Sequence, residues 1–249
     1  GVMDEDQVQI YLPEGKAESE AAGRWCALKD WPSNNLTPRR FYLAGAALAQ
    51  TLSPSTGEAR VTFSAEATTG VDSRWNGVLG RGVYPDRAEN DAFGAVFTSE
   101  PLGGPLDLGG HPRLHLRVVP QVDDADIFVY LEEVTASGAV FYRTEGMLRL
   151  SHLARATSPY FNAGLPWRSH RAQDIHPLKP GAPVTVELDL LPFAARFAQG
   201  SRLRLVFQGG DADNFASPAG IPMPYSVLWG GAQGSWFEIG EIRCTMSTR

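Results

Sequence analysis

Strict alternation of apolar and polar residues is the feature that most limits the fold of this chain. It is clearest in residues 113–118, 184–189 and 201–205. Because successive side chains of an extended strand point to opposite faces, each segment gathers its apolar residues on one face. This indicates half-buried strands. Related short segments between Gly, Pro, Asp and Ser clusters predict further strands at 8–12, 25–28, 60–65, 95–98, 127–131, 139–142, 147–152 and 236–244.

Helix signals are scarce in the chain. Its 249 residues include 26 Gly and 18 Pro, an excess of turn-forming residues. Residues 191–197 predict one short helical turn, with Pro192 near its start and Gly200 after its end. The Ala-rich stretch 43–52 is interpreted as strand and turn. We therefore predict an all-β, antiparallel fold of sandwich or barrel type, as a single domain over 1–249 with residues 1–7 frayed.

Three long segments without periodicity are predicted to be ordered loops, at 68–91, 154–182 and 209–224. Loops carried by a rigid sheet are common places for binding residues. Two of these loops combine aromatic rings with amide or carboxylate groups, which is the makeup of a substrate-pocket contact or a domain interface, although packing of each loop onto its own sheet is slightly favoured. The candidate residues are Trp75, Tyr84, Asp211, Asp213, Asn214 and Phe215.

No catalytic residue is predicted within this chain. A nucleophile elbow needs Gly two residues before and after the serine, and no serine has both; Ser235 comes nearest. Each of the five histidines is expected to be solvated or hydrogen-bonded structurally. Cys26 and Cys244 are expected to be buried free thiols, the alternative being a bond that closes a very long loop.

The sequence predicts no metal site and no cofactor. Carboxylates cluster at 123–126 and at 211–213, where they could offer oxygens to Ca²⁺, but bonding to local backbone N–H groups is favoured. A net charge of −6 argues against nucleic acid as a partner. No run approaches the roughly 20 apolar residues of a membrane span. The start of the chain has no signal-peptide pattern, which favours a cytoplasmic location.

Several ordered segments resemble one protein family. Residues 92–102, AFGAVFTSEPL, resemble the opening of the C-terminal domain of X-Pro dipeptidyl-peptidases and of CocE/NonD-type acyl hydrolases. Residues 126–134 are similar to the next hairpin of that domain, and residues 145–150 to its acidic-Gly-hydrophobic-hydrophobic-Arg strand. The resemblance extends over 175–215 and upstream over 23–43. It weakens in 68–84, where the usual Gly-Gly and Asp-Gln elements are missing.

The resemblance implies a jelly-roll β-sandwich similar to galactose-binding-like domains. It also implies that the catalytic Ser, Asp and His lie on an α/β-hydrolase domain that is absent from this chain, in the same parent chain or in a separate subunit. The expected role is to pack on that domain and help enclose its pocket for an ester, an amide or, with dipeptidyl-peptidase activity, an X-Pro peptide. The docking face should be apolar unless a homo-oligomer covers it.

Two other functions remain open at this stage. The chain could be a free-standing ligand- or carbohydrate-binding sandwich, with Trp75 and Tyr84 contacting a sugar. It could also be an independent hydrolase whose site carries no known motif.

Overall fold

Fourteen strands and three short 3-10 turns make up the regular structure in the described part of the chain. The computed structural model describes residues 8–15, 23–31, 36–76, 84–216 and 223–244, and these ranges contain no α-helix. The strands are β1 Val8–Pro13, β2 Gly23–Leu28, β3 Leu36–Ala44, β4 Ala47–Ala49, β5 Gly57–Val61, β6 Ala95–Ser99, β7 Leu106–Pro120, β8 Asp126–Val134, β9 Val140–Arg149, β10 Val184–Asp189, β11 Phe193–Phe197, β12 Arg202–Gln208, β13 Tyr225–Trp229 and β14 Trp236–Ile242.

Most pairings join strands that are distant in the chain. The main path runs β5-β13-β7-β14-β3-β4-β6-β12-β8-β9, and β10 and β11 both pair with β7. Among the strands given above, every pairing is antiparallel except the short parallel contact of β4 with β6, and one isolated parallel bridge joins Glu14 to Arg196 of β11. Long-range antiparallel partners such as β3 with β14 and β6 with β12 fit the jelly-roll winding expected from the resemblance.

One apolar core lies between two layers of strands. Residues 114, 116 and 118 of β7 contribute to it from one side, and residues 127, 129 and 131 of β8 from the other. β7 and β8 are far apart in the pairing order, so their inward faces can share a core only if the sheet folds over into two facing layers. The all-β, mostly antiparallel sandwich predicted from the alternation is confirmed.

The long strand β7 changes partner at Gly110. Its first half, Leu106 to Gly110, pairs with β11, and its second half, Arg113 to Val118, pairs with β10. Gly110 has φ +91°, a conformation that residues with a Cβ rarely adopt. The glycine thus allows a local change of course between the two pairings.

The prediction of a helical turn at 191–197 is wrong. Phe193–Phe197 is strand β11, with Ala195 and Phe197 buried in the core. Its backbone groups pair with the free edge of β7, and this pairing outweighs the weak local helix preference.

A second correction concerns the two cysteines. Cys26 and Cys244 form a disulfide, with Cα atoms 5.1 Å apart, and neither is a free thiol. Strands β1 and β2 form a separate two-stranded ribbon, which packs through Leu12, Cys26 and Leu28 on Ile242 of β14. The bond ties this small ribbon to the end of the sandwich.

The remaining strand predictions agree in kind with the structure but differ at their ends, and the two strands predicted at 139–142 and 147–152 both fall in β9. The strand predicted at 60–65 is β5, which ends at Val61, and the one at 147–152 passes into a 3-10 turn, Leu150–His152. The three predicted loops lack regular strands, although residues 77–83 and 217–222 lie outside the described residues. The predicted frayed segment 1–7 also lies outside them. Within the described ranges, no helix has the length and apolar character to cross a bilayer.

Reduction of the disulfide is expected to loosen the β1–β2 ribbon first and to lower the free energy of unfolding by about 2–5 kcal/mol, because the cross-link closes a very long loop in the unfolded chain. Denaturant unfolding with and without a phosphine reductant measures the loss. The double variant Cys26→Ala/Cys244→Ala is the control, since it should no longer respond to reductant. An oxidised protein whose midpoint is unchanged by reductant would contradict this expectation.

Candidate functional site

The outer face of the sheet formed by β6, β12, β8 and β9 carries an unusual set of polar side chains. Along β8, Ile127, Val129 and Leu131 point into the core, so Tyr130 and Glu132 point outward. Across the sheet, Glu145 of β9 is the register partner of Tyr130, and Arg204 of β12 is the partner of Glu132. Residues 68–76, 84–91 and 209–216 cover this face and bury it.

Asp211 fastens the two loops to each other. Its carboxylate accepts hydrogen bonds from the backbone N–H of Thr69 at 3.0 Å, from the hydroxyls of Thr68 and Thr69, and from the Asn214 amide at 3.0 Å. Asp213 accepts a second bond from the Thr68 hydroxyl at 2.8 Å. Asp211 is fully buried, so its direct role is to hold the loops together.

Glu145 organises the aromatic part of the site. Its Oε1 accepts hydrogen bonds from the Trp75 indole at 2.8 Å, the Tyr142 hydroxyl at 2.9 Å and the Tyr84 hydroxyl at 3.3 Å. The ring of Tyr84 lies flat on that of Tyr142, with centroids 3.6 Å apart. Burial raises the pKa of Glu145, and the bonds from Tyr142 and Trp75 oppose that shift.

The structure brings all six predicted site residues into one assembly. Trp75 meets Phe215 edge to face with ring centroids 5.3 Å apart, and Phe215 packs on Phe128 of β8. Trp75, Tyr84, Asn214 and Phe215 are half-buried, Asp213 is exposed, and Asp211 alone is fully buried. Both sides of the assembly thus come from loops that are distant in sequence.

Sequence reasoning missed Glu145, although a signal was present. Residues 145–150 matched the acidic-Gly strand of the family resemblance, and only the acidic position makes the contacts described above. It also missed a buried ionic group next to that position. The signal for this group was the pair Glu132-Glu133, two carboxylates inside an otherwise apolar strand.

That ionic group contains two carboxylates and two guanidinium groups. Arg87 donates from Nε to Glu132 at 3.1 Å, and both side chains are inaccessible to solvent. Arg204 donates to Asp91 at 2.6 Å, and the Arg87 guanidinium lies over the ring of Tyr130. Burial and the neighbouring Asp91 raise the pKa of Glu132 to about 8. Glu132 Oε2 and Asp91 Oδ1 have no donor among the described residues, so a proton shared between the two carboxyls satisfies both.

The carboxylates at 123–126, considered above as possible Ca²⁺ ligands, accept hydrogen bonds from other groups of the protein. Asp124 accepts hydrogen bonds from the backbone N–H and the hydroxyl of Ser151. Asp126 accepts hydrogen bonds from Nε and Nη2 of Arg149. Within the ranges that the structure describes, no three His, Cys, Asp or Glu side chains are grouped as metal ligands would be.

Ser235, the serine nearest to an elbow pattern, is a structural residue. Its hydroxyl donates to the Leu228 carbonyl at 2.6 Å and accepts from the Arg117 backbone N–H at 2.9 Å. The side chain is fully buried. Both cysteine sulfurs are in the disulfide. In the described part of the chain, no serine hydroxyl is hydrogen-bonded to a histidine.

The variant Glu132→Gln is expected to change how stability depends on pH. The carboxyl of Glu132 has a pKa near 8 in the folded protein and about 4.5 in the unfolded chain. Between these two pH values it is protonated in the folded state and ionised in the unfolded state. The folded state then holds more protons, so the free energy of unfolding of the wild type falls as pH rises from about 4.5 to 8, by up to about 1.4 kcal/mol per pH unit. Gln cannot ionise and should remove this slope.

Urea unfolding at pH 5 and pH 8 tests the expectation. The free energy of unfolding of Glu132→Gln, measured relative to that of the wild type, should increase by about 1–3 kcal/mol from pH 5 to pH 8. Glu58→Gln, at an exposed position of β5, is the control and should follow the wild type. An equal offset of Glu132→Gln at both pH values would contradict the shared proton.

The variant Glu145→Ala is expected to release Trp75 and Tyr84 and to cost about 2–4 kcal/mol of stability, because three donors lose their acceptor. The matched variant Glu145→Gln keeps an acceptor oxygen and should stay within about 1 kcal/mol of wild type. Hydrogen exchange of the Trp75 indole N–H, assigned by comparison with Trp75→Phe, reports the change directly. Unaltered exchange in Glu145→Ala would show that Glu145 does not position the indole.

Comparison with known proteins now identifies the family. Residues 1–227 match the model of the X-Pro dipeptidyl-peptidase C-terminal non-catalytic domain. Two proteins whose names describe them as serine esterases, from Mycobacterium bovis and Mycobacterium tuberculosis, are each 36% identical over 200 residues, which is 78% of this chain and 32% of theirs. The chain therefore spans about a third of the length of these curated relatives.

Solved structures show the same fold. A CocE/NonD family hydrolase from Staphylococcus aureus matches 97% of this chain and 42% of its own, with a TM-score of 0.73 and 19% identity. An aminopeptidase from a marine sediment archaeon, Thaumarchaeota, matches 90% of this chain and 40% of its own, with a TM-score of 0.68 and 16% identity. The motifs, the match over residues 1–227 and the shared sandwich agree: this chain belongs to the family of X-Pro dipeptidyl-peptidase C-terminal non-catalytic domains.

Proposed function

We propose that this domain packs on an α/β-hydrolase catalytic domain and helps to enclose its substrate pocket. The observation that carries the proposal is the rigid presentation of Trp75 and Tyr84 by the buried carboxylate of Glu145. Half-buried aromatic rings held in place by a buried hydrogen bond lose little conformational entropy on contact with a partner. Such a surface suits a wall that must stay in position while chemistry proceeds elsewhere.

Exposed apolar side chains support the proposal that this same face is the docking surface. Val71 on loop 68–91 is 59% exposed, and Tyr160 and Phe161 on loop 154–182 are 64% and 85% exposed. Both loops contribute residues to one cavity, so they lie on the same side of the sandwich. Exposed apolar groups of this size commonly mark an interface. The occupant that we propose is the catalytic domain, because the relatives are about three times as long as the part that matches.

The reaction of the intact hydrolase is proposed to be cleavage of an ester or amide through an acyl-enzyme on a serine of the catalytic domain. The family description and the esterase names of the relatives support this class. By closing a pocket, this domain would exclude water and fix the acyl group relative to the nucleophile. Cleavage of X-Pro peptides is the narrower form of the proposal.

A sugar-binding role receives less support from the site. Stacking on a sugar requires an open ring face, and one face of Tyr84 is covered by Tyr142. The Trp75 N–H is bound to Glu145 and so cannot donate a hydrogen bond to a sugar hydroxyl, and the edge contact with Phe215 restricts access to the ring. We therefore propose the enclosing role alone.

The test is made on the parent polypeptide, assayed with an aryl ester and an X-Pro anilide. Trp75→Ala is expected to lower kcat/KM by about tenfold or more, because loss of a pocket wall costs positioning. Trp25→Ala, which removes a 68% exposed aromatic ring from the β1–β2 ribbon, is the control and should leave kcat/KM within about twofold of wild type.

Three results would overturn the proposal. The first is a parent sequence without a G-x-S-x-G elbow on a strand, turn and helix. The second is equal activity of Trp75→Ala and wild type on both substrates. The third is a stoichiometric burst with an active-site titrant on the 249-residue chain alone, since that would place the nucleophile within it.

A further inference from the structure

A cavity of about 240 Å³ lies where the edge of β9 meets the connection from β10 to β11. Gly146 of β9 allows this approach, because a Cβ there would stand 2.7 Å from the Asp189 carbonyl oxygen. The cavity is slightly smaller than the roughly 300 Å³ at which sites for drug-sized ligands begin. A ligand of this cavity must therefore be small.

The cavity wall combines polar and apolar side chains. Met147 and Leu148 of β9 form one side, and the indole of Trp75 borders the same space. The remaining apolar lining comes from loop 154–182 and from the segment around β10 and β11, and consists of Pro166, Leu188, Leu191 and Pro192. This apolar part of the wall can contact an aliphatic group on the ligand.

Arg168 supplies a fixed cation to the cavity. Its side chain is buried, and it donates from Nη2 to the Glu187 carbonyl at 2.6 Å and from Nε to the Leu153 carbonyl at 3.4 Å. Nη1 has no hydrogen-bond partner among the described residues. A guanidinium held by backbone carbonyls with one nitrogen to spare is a ready site for a carboxylate.

Asp189 and His111 line the same space with unused polar atoms. Within the described ranges, no side chain donates a hydrogen bond to the Asp189 carboxylate, which is bonded only to its own backbone N–H, and burial raises its pKa. Arg168 attracts Asp189 but forms no direct ion pair with it. His111 Nδ1 is buried and has no partner among the described residues. The cavity thus offers spare donors and a spare acceptor that do not satisfy each other.

We propose that this cavity binds a small organic acid that carries a hydrogen-bond donor next to its carboxylate, namely an α-amino or α-hydroxy acid with an aliphatic side chain. The ligand carboxylate binds Arg168 Nη1, the neighbouring ammonium or hydroxyl donates to Asp189, and the aliphatic group lies against Trp75 and the leucine and proline walls. This ligand satisfies both unused functions at once, whereas a plain carboxylate leaves Asp189 unpaired. The inference does not depend on the proposed function.

The test is a titration of the 249-residue chain, followed by NMR shifts of the Trp75 indole and the His111 ring. L-leucine and 2-hydroxy-4-methylpentanoate are the two candidate probes. The controls are 4-methylpentanoate, which lacks the donor, and 3-methylbutylamine, which lacks the carboxylate. At least one candidate should bind saturably and about tenfold or more tightly than both controls. The candidate acid that binds identifies the ligand's hydrogen-bond donor as an ammonium or a hydroxyl group.

Variants locate the binding. Asp189→Asn should weaken L-leucine about tenfold or more, because a charged partner is lost, and 2-hydroxy-4-methylpentanoate by less than about threefold, because Asn still accepts a hydrogen bond. Glu187→Gln is the matched control, since Glu187 lies two residues earlier on β10 than Asp189, pairs with Arg155 and is absent from the cavity lining. It should bind like wild type.

Saturable binding by neither candidate acid would overturn the proposal. Equal binding by 4-methylpentanoate would also overturn it, because Asp189 would then recognise nothing. Leu191→Trp, which fills the cavity from its rim, should abolish binding in a protein whose remaining spectrum is unchanged. Retained binding in that folded variant would place the ligand elsewhere.

Discussion

A β-strand has two faces, and only one of them can pack against a given core. In this domain the inward faces of both layers share one apolar core. The outer face of the β6-β12-β8-β9 layer must therefore be solvated or covered by other parts of the chain. Residues 68–76, 84–91 and 209–216 cover it, and the arrangement of the site follows from the need to hold these two loops in place.

The cover is fastened by buried polar contacts in addition to apolar packing. Asp211 collects donors from both loops, Glu145 collects three aromatic donors, and Arg87 reaches through to Glu132. A buried ion pair such as Arg87–Glu132 adds little net stability when compared with apolar residues, but removing one partner is costly. They specify one arrangement of the loops, which is what a surface that presents Trp75 and Tyr84 requires.

The same layer ends at β9, and the cavity lies at this edge. Trp75 belongs to both features, since it is bound by Glu145 on the outer face and borders the cavity beside Gly146. The aromatic assembly, the exposed loops and the cavity are therefore parts of one side of the sandwich. The matching relatives carry long additional sequence, and this is the side on which we propose that a catalytic domain packs.

The sequence by itself determined the strand content and the family. Alternation at 113–118, 184–189 and 201–205 requires one buried face in any extended chain, and the ordered motifs from 92 to 215 identified the relatives. It also singled out the two loops of the site, because aromatic and amide residues between strands are unusual enough to notice.

Only the tertiary structure decided which distant residues meet. The bond between Cys26 and Cys244 spans 218 residues, and no local pattern predicts it. Residues 193–197 became a strand because the edge of β7 was free to pair with them. Glu145 gained the donors Trp75 and Tyr84, which are 70 and 61 residues away in the chain, because β9 lies beneath the loop that carries them. The physical reason is common to all three: sheet pairing is non-local, so the environment of a residue is set by strands that its own neighbourhood does not encode.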